Sequence, residues 1–471
     1  MHFDDSFADP GPKPATGRWT KELNSYHWFV LIVAALGWMF DTMDQQLFNL
    51  ARVPAVTELL KRSSGADPLP GQVPEYGGYA TMVFMLGWAT GGLFFGVLGD
   101  RIGRAKTMMM TILVYSAFTG LSALSVGVWD FSFYRFLTGL GVGGEFAVGV
   151  ALVAEVIPDR ARPFALGWVQ AMSAVGNMTA AVISMVLGHF EETGAVAGAW
   201  RWMFVIGLAP ALLVVLIRRR LKEPEKWKAA TRADDADLAA PGSRAGSISD
   251  LFGDPRWRKN AIVGMILGFS GVVGLWGIGF FSFDLIRSVF EADMKARGLA
   301  PDLIKGRLTF LAGLTSFFQN LGGFFGVYAF TRITAHVGRK PAFAVSFLLA
   351  MVATAGTFWF IDSFDDLFWM IPIMGFCQMT LFGGYAIYFP ELFPTRLRST
   401  GTSFCYNVGR LVAAIGPLFL GLLTSKFYIG YWGFGEVLAR RYAGVTMCAV
   451  FLVGLCALPF APETKGKPLP E

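Results

Sequence analysis

Charge is scarce in this chain. Only 16% of the 471 residues are Asp, Glu, Lys or Arg, against 54% hydrophobic, and the mean hydropathy is +0.50. A soluble protein of this length would carry more charge and shorter apolar runs. Cysteine is scarce too. Cys377, Cys405, Cys448 and Cys456 all fall in apolar segments, without metal-ligand spacing and without an oxidised loop to join, so they read as small buried hydrophobes. There are four histidines, of which His2, His27 and His336 look interfacial. With no Ser/His/Asp set and no metal cluster, an enzyme is not expected, nor is a cofactor. The net charge of +6 is modest, and the basic residues border apolar runs, which suits lipid phosphates and not nucleic acid. A cleavable signal is also missing: the first two dozen residues are polar, with Pro10, Pro12 and Pro14, and the apolar run that follows begins late and is long.

What is abundant is apolar sequence in lengths that fit a bilayer. A spanning helix needs about 20 mostly apolar residues. Twelve stretches qualify: 27–48, 78–99, 106–126, 131–153, 163–188, 201–217, 260–283, 308–330, 341–360, 367–388, 401–423 and 442–460. Their lengths exclude barrel strands, so the expected fold is an all-α membrane protein of twelve transmembrane helices. Basic residues cluster after spans two (Arg101, Arg104, Lys106), four (Arg160, Arg162), eight (Arg332, Arg339, Lys340) and ten (Arg396, Arg398). Loops near Asp130, Glu191 and Asp362 have almost none, so both termini are expected in the cytoplasm and the chain in the plasma (inner) membrane. The loops after spans one, seven and eleven carry Lys and Arg as well, so the bias is not clean.

The loops repeat. Leu98-Gly99-Asp100-Arg101-Ile102-Gly103-Arg104 returns as Ile333-Thr334-Ala335-His336-Val337-Gly338-Arg339, 235 residues on. Glu155-Val156-Ile157-Pro158-Asp159-Arg160 returns as Glu391-Leu392-Phe393-Pro394-Thr395-Arg396, 236 residues on. Two unrelated motifs at one spacing indicate duplicated six-helix halves. The expected organisation is an N-terminal bundle over 1–217, a cytoplasmic link over 218–259 with short surface helices and a flexible centre, and a C-terminal bundle over 260–471, the two bundles pseudo-symmetric.

The chemistry concentrates in Phe40-Asp41-Thr42-Met43-Asp44-Gln45-Gln46-Leu47, in the first apolar run. Carboxylates three apart share one side of a helix. An Asp near the bilayer centre costs about 2.5–3.5 kcal/mol on an insertion scale, so it is kept mainly where it faces water, a partner charge or a moving proton. A hydrated position at the outer interface is the plain alternative, but Leu47 and Phe48 continue the apolar helix past both acids.

Gly99-Asp100-Arg101-x-Gly103-Arg104 resembles the loop 2–3 signature of the major facilitator superfamily. The stretch Arg135 to Glu145 is similar to the fourth-helix motif of its sugar porters and metabolite–proton symporters. Phe389 to Arg396, and Pro462-Glu463-Thr464-Lys465-Gly466, resemble sugar-porter motifs. Asp41-x-x-Asp44, Trp200-Arg201-Trp202 and Glu223-Pro224-Glu225-Lys226-Trp227 look more like the aromatic-acid and sialic-acid proton symporters. The resemblance covers the whole chain and implies a secondary transporter working by alternating access. It also implies Asp44 as the anion for Arg135 and the helix-one proton acid. Asp41 is an extra acid, and Glu145 a competing proton site. Arg135 with Glu145 could instead be a static pair that fixes packing. At the cytoplasmic face, Asp100, Arg101 and Arg104 with Glu155 and Arg160, and in the second repeat Arg339, Glu391 and Arg396, are the gating candidates, able to hold the halves together in the outward-open state. Ala335 replaces the acid there and weakens that side.

The cavity candidates lie at mid-span: Gln170 and Asn177 on helix five, Trp276 on helix seven, Gln319 and Asn320 on helix eight, Gln378 and Tyr385 on helix ten, and Tyr406, Asn407 and Arg410 on helix eleven. Each lone amide could equally be interhelical glue. Arg410 differs, because positions three and four away offer it no acid, and the central acids found (Asp41, Asp44, Glu145) are all in the first half. Something anionic must visit it. The expected function is proton-coupled symport of a small organic anion by a monomer in the lipid bilayer, with no nucleic-acid partner. A sugar or polyol porter is the alternative. Such porters usually carry a Gln pair on helix seven, and Gly274 to Phe281 has no Gln. A transporter-like nutrient sensor would normally append a long tail.

Overall fold

The computed structural model describes residues 19–158, 161–223, 248–394 and 398–465. They form the expected all-α architecture, with no strand among the described residues. The spans are α1 Ser25–Ser64, α2 Gln72–Ile102, α3 Arg104–Ser122, α4 Val128–Val156 and α5 Arg162–Glu192. Next comes α6, in two pieces, Ala199–Ile206 and Ala211–Arg220. After the short helix Ile248–Gly253, α7 runs from Pro255 to Ala296 through a wide π-type turn at Val273–Ile278. Then follow α8 Pro301–Val337, α9 Arg339–Phe360 and α10 Asp366–Glu391. α11 runs from Arg398 to Tyr431, ending in a π-type segment at Leu423–Tyr431, and α12 runs from Glu436 to Phe460. Eight of these stretches are long and apolar enough to cross a membrane, and Ala199–Val214 is a shorter apolar one. The two pseudo-symmetric six-helix bundles are α1–α6 and α7–α12. Most of the centre of the linker lies outside the described residues.

Several helices outrun their apolar stretches. α1 has 40 residues, about 60 Å at 1.5 Å per residue, twice a hydrocarbon core. It continues through Pro54 to Lys61, where the sequence suggested a loop after residue 48. α7 and α11 likewise absorb the charged loops expected after them. Asn24 starts α1 by accepting the His27 amide at 2.8 Å, and Gly65, with φ 71°, ends it.

Close packing follows the glycines. A Cβ on Gly139 or Gly143 of α4 would sit 2.2 or 2.0 Å from the carbonyls of Phe84 and Trp88 on α2. In the second half, Gly322 and Gly326 of α8 meet the carbonyls of Pro372 and Phe376 on α10 in the same way. Only a missing side chain lets backbones approach this far. The loop repeat is visible as two elbows: Gly103 and Gly338 join α2 to α3 and α8 to α9 with φ of 113° and 97°.

The halves touch along α5 with α8 and α2 with α11. At the face opposite the termini, hereafter the far face, they are sealed. A Cβ on Gly306 would meet the Glu192 amide at 2.3 Å, and one on Gly421 would meet the Pro74 carbonyl at 2.5 Å. Arg307 of α8 pairs with Glu192 of α5 at 3.1 Å. The far mouth is closed in this conformation.

Candidate functional site

Asp41 and Asp44 are both fully buried on α1 and point to different neighbours. Asp44 Oδ1 accepts from Thr119 Oγ1 of α3 at 2.5 Å, and its Oδ2 lies 3.9 Å from Arg135 Nη1 of α4. Arg135 is itself fully buried. Its Nε and Nη2 donate to Ser122 Oγ at 3.1 and 2.6 Å, and Nη2 also donates to the Phe118 carbonyl at 3.3 Å. The guanidinium sits 4.6 Å from the Phe204 ring centre, with Phe48 and Phe131 beyond it. It is therefore held by hydroxyl, carbonyl and π faces, with its one carboxylate at arm's length. Such a pair can part without leaving the cation unsupported.

Asp41 Oδ2 accepts from Gln45 one turn along at 3.3 Å, and its Oδ1 has no hydrogen-bond partner among the described residues. Glu145 of α4 is buried against Gly37 of α1, where a Cβ would lie 2.2 Å from its Oε1. Neither of its oxygens takes a hydrogen bond among the described residues. The ion partner of Arg135 is Asp44, so the static Arg135–Glu145 pair weighed as an alternative is not what this conformation contains.

Arg410 is half-buried on α11. Its guanidinium carbon lies 3.9 Å above the Trp88 ring of α2, and Nη1 donates to Asn407 Oδ1 at 3.4 Å. Among the described residues no carboxylate lies within 4 Å of it, and its Nε is buried without a hydrogen-bond partner. Trp88 in turn meets Trp276 of α7 edge-on at 5.1 Å, and Trp276 meets Phe280 at 4.9 Å. The cavity candidate Trp276 thus reaches Arg410 through a tryptophan of the other half.

A neutral ladder crosses between the halves from α1 and α5 to α8. Asn177 of α5 donates to Asn320 Oδ1 of α8 at 2.8 Å, and Gln46 of α1 donates to Ser316 Oγ of α8 at 2.6 Å. Asn49 donates to Gln46 Oε1 at 3.3 Å. Other cavity candidates are placed differently. Gln319 donates to Gln378 at 3.3 Å, and Gln378 to Thr354 of α9 at 2.9 Å, so both act as ties within the second half. Tyr385 is fully buried, donates to the Leu267 carbonyl at 2.6 Å and stacks on Phe389 at 4.9 Å. A phenol locked to a helix carbonyl in this way does not face a cavity, which corrects its inclusion. Tyr406 packs on Phe389 at 5.1 Å, half-buried. Gln170 is exposed, nearer the end of α5 that lies at the face of the termini, and its side chain joins no hydrogen bond among the described residues.

Of the gating candidates, Arg160 and Arg396 fall outside the described residues, and for Asp100 and Arg101 of α2 and Glu155 of α4 only the backbone is described. Arg339 and Glu391 are described, and they correct one expectation. Their bidentate pair, at 2.8 and 3.1 Å, joins the start of α9 to the end of α10 within the second half, not one half to the other. Glu463 caps the same corner, accepting the amides of Arg339 and Lys340 at 2.9 and 3.0 Å. In the first half Glu223 accepts the amides of Ala105 and Lys106, at 3.2 and 3.1 Å, so the corner is duplicated. Arg104 starts α3 there.

The sequence reading missed a buried charge group. Arg52 of α1 and Asp284 of α7 bond across the halves at 3.0 Å, with Arg287 and Arg440 beside them. Asp284 is a buried acid of the second half, so the buried acids of the apolar spans do not all lie in the first. The signal sits at the edges of apolar stretches: 27–48 and 260–283 end just before Arg52 and Asp284, and 442–460 begins just after Arg440.

The family model described as the Major Facilitator Superfamily matches residues 28–417. A Haemophilus influenzae protein whose name assigns it to metabolite transport is 28% identical over 96% of this chain and 100% of its own length. The sialic acid transporter NanX of Escherichia coli is 26% identical over 93% and 96%. The cis,cis-muconate transport protein of Acinetobacter baylyi is 28% identical over 74% and 78%. Among solved structures, the D-xylose–proton symporter superposes with a TM-score of 0.66 at 16% identity, covering 94% of this chain and 100% of that one.

Proposed function

The chain belongs to the Major Facilitator Superfamily of membrane transporters, and from that premise we propose that it is a proton-coupled symporter for a small organic anion. Its expected setting is the inner membrane, both termini cytoplasmic, as a monomer of two bundles joined by a cytoplasmic link. The observation that carries the substrate class is Arg410, a central guanidinium that rests on Trp88 with no carboxylate within 4 Å among the described residues. A planar carboxylate would accept a bidentate fork from it. The muconate and sialic acid named in two relatives are acids of this kind.

Asp44 is the proposed proton carrier. A carboxylate that alternates between a guanidinium and a dry environment alternately releases and takes a proton. Its loose 3.9 Å contact with Arg135 supports such alternation. Asp41 and Glu145 are the other proton sites to test. Substrate on Arg410 would bridge the halves and couple closure to occupancy.

Uptake into proteoliposomes tests both parts. Cis,cis-muconate, sialic acid and nicotinate should accumulate when a pH gradient is imposed and only equilibrate without one. Efficient uptake of xylose, with no carboxylate moving or competing, would transfer the chain to the sugar or polyol porters.

A further inference from the structure

A charge cluster toward the far mouth stands apart from the proposed proton and substrate sites. Arg52 is fully buried, and its Nη2 lies 3.0 Å from each oxygen of Asp284. Its Nη1 donates to Thr81 Oγ1 at 3.3 Å, and its guanidinium lies 3.7 Å over Phe281. Arg287, one turn further along α7, reaches across the seam to the Leu50 carbonyl at 3.0 Å. Arg440 of α12 approaches Asp284 to 3.9 Å and holds Glu436 at 2.6 Å.

The cations outnumber what a latch needs. Arg52, Arg287 and Arg440 are each more than nine-tenths buried, while Asp284 is the buried acid that Arg52 and Arg440 share and Glu436 is 43% exposed. Among the described residues no carboxylate lies within 4 Å of Arg287, and the Nε atoms of Arg52 and Arg440 are buried without hydrogen-bond partners. One ion pair would close the seam. Burying two further guanidiniums works against closure unless they serve another state.

That state is the one open at the far face. Parting of α1 from α7 there would separate Arg52 from Asp284 and set cations on both walls of the funnel. We propose that Arg52, Arg287 and Arg440 form a capture site for a small carboxylate at the far mouth, which Asp284 fills when that mouth closes. The inference rests on the organic-anion reading. Asp284 and the substrate compete for the same guanidiniums, so closure displaces the substrate toward Arg410 and keeps it from being trapped at the mouth. Focusing of this kind raises local substrate concentration and the rate of capture.

The test compares transport from the two faces. The probe is whichever of benzoate, cis,cis-muconate and nicotinate the wild type carries. Arg287→Gln removes surplus charge while leaving the Arg52–Asp284 pair in place. KM for uptake into intact cells should rise about tenfold, while KM in inside-out vesicles and the maximal rate stay unchanged. Arg287→Lys should restore most of the loss, since capture needs charge more than a fork. Equal KM shifts at both faces, or none in intact cells, would overturn the capture site and leave the organic-anion reading standing. A wild type that carries no carboxylate overturns both.

Discussion

At the scale of single residues, two intramembrane cations have opposite situations. Arg135 has its own carboxylate and an aromatic box, whereas Arg410 has an indole and an amide. Different consequences follow from removing them or their partners. Asp44→Asn should abolish accumulation driven by a pH gradient while substrate exchange persists, because the amide keeps the Thr119 contact but carries no proton. Gradient-driven accumulation by the mutant would move the proton site to Glu145 or Asp41. Arg410→Lys should weaken carboxylate binding by about 1.5–3 kcal/mol, roughly 10- to 150-fold, despite the retained charge, through loss of the fork. Arg410→Ala should abolish binding. Competition of carboxylates against a transported probe measures both, and unchanged competition by the lysine variant would remove Arg410 from the site.

At the scale of helices, the capped corners and glycine contacts set what can move. Burial would raise the Glu463 carboxyl, but the amides of Arg339, Lys465, Lys340 and Thr464 outweigh it and hold the group below its ordinary value of 4.5. A depressed carboxyl contributes stability above its unfolded pKa and loses it as pH falls through the folded one. The melting temperature of Glu463→Gln should therefore lie below wild type at neutral pH, and the gap should close as the pH is taken below 4.5. A gap that persists in acid would point to packing in place of the cap. At the far end of α8, Gly306→Ala would drive a Cβ into the Glu192 backbone at 2.3 Å, where nothing flexible can yield. The variant should favour the state open at the far face, read as faster labelling of a cysteine introduced at Gln46 by an impermeant thiol reagent added on that side.

At the scale of the whole molecule, closure of the far mouth combines three layers: the glycine contacts, the Arg307–Glu192 pair at the rim and the buried Arg52–Asp284 pair. The last is the strongest candidate for a two-state element, because breaking a buried pair costs about 3–5 kcal/mol. Asp284→Asn should shift the population far toward opening, with labelling at the same Gln46→Cys position as the readout. Unchanged labelling would leave closure to the glycine seams alone.

Composition, apolar length and the loop repeat by themselves determined a twelve-helix membrane fold of two similar halves, since each depends on local sequence and the bilayer solvent. They also determined that Asp41, Asp44, Arg135, Glu145 and Arg410 stand out, because a charge inside an apolar stretch is visible without any contact. What the sequence could not determine is which charges meet. Asp44 and Arg135 are 91 positions apart, and Arg52 and Asp284 are 232 apart. Hydropathy also treats a charge near the end of an apolar run as the end of the helix, which hid Arg52, Asp284 and Arg440 until the tertiary structure carried α1 and α7 past them and showed α12 starting before Arg440. Tyr385 and Gln378 carry the reverse lesson. A polar side chain at mid-span has the same sequence signature whether it faces a cavity or a neighbouring helix carbonyl, and only packing decides between the two.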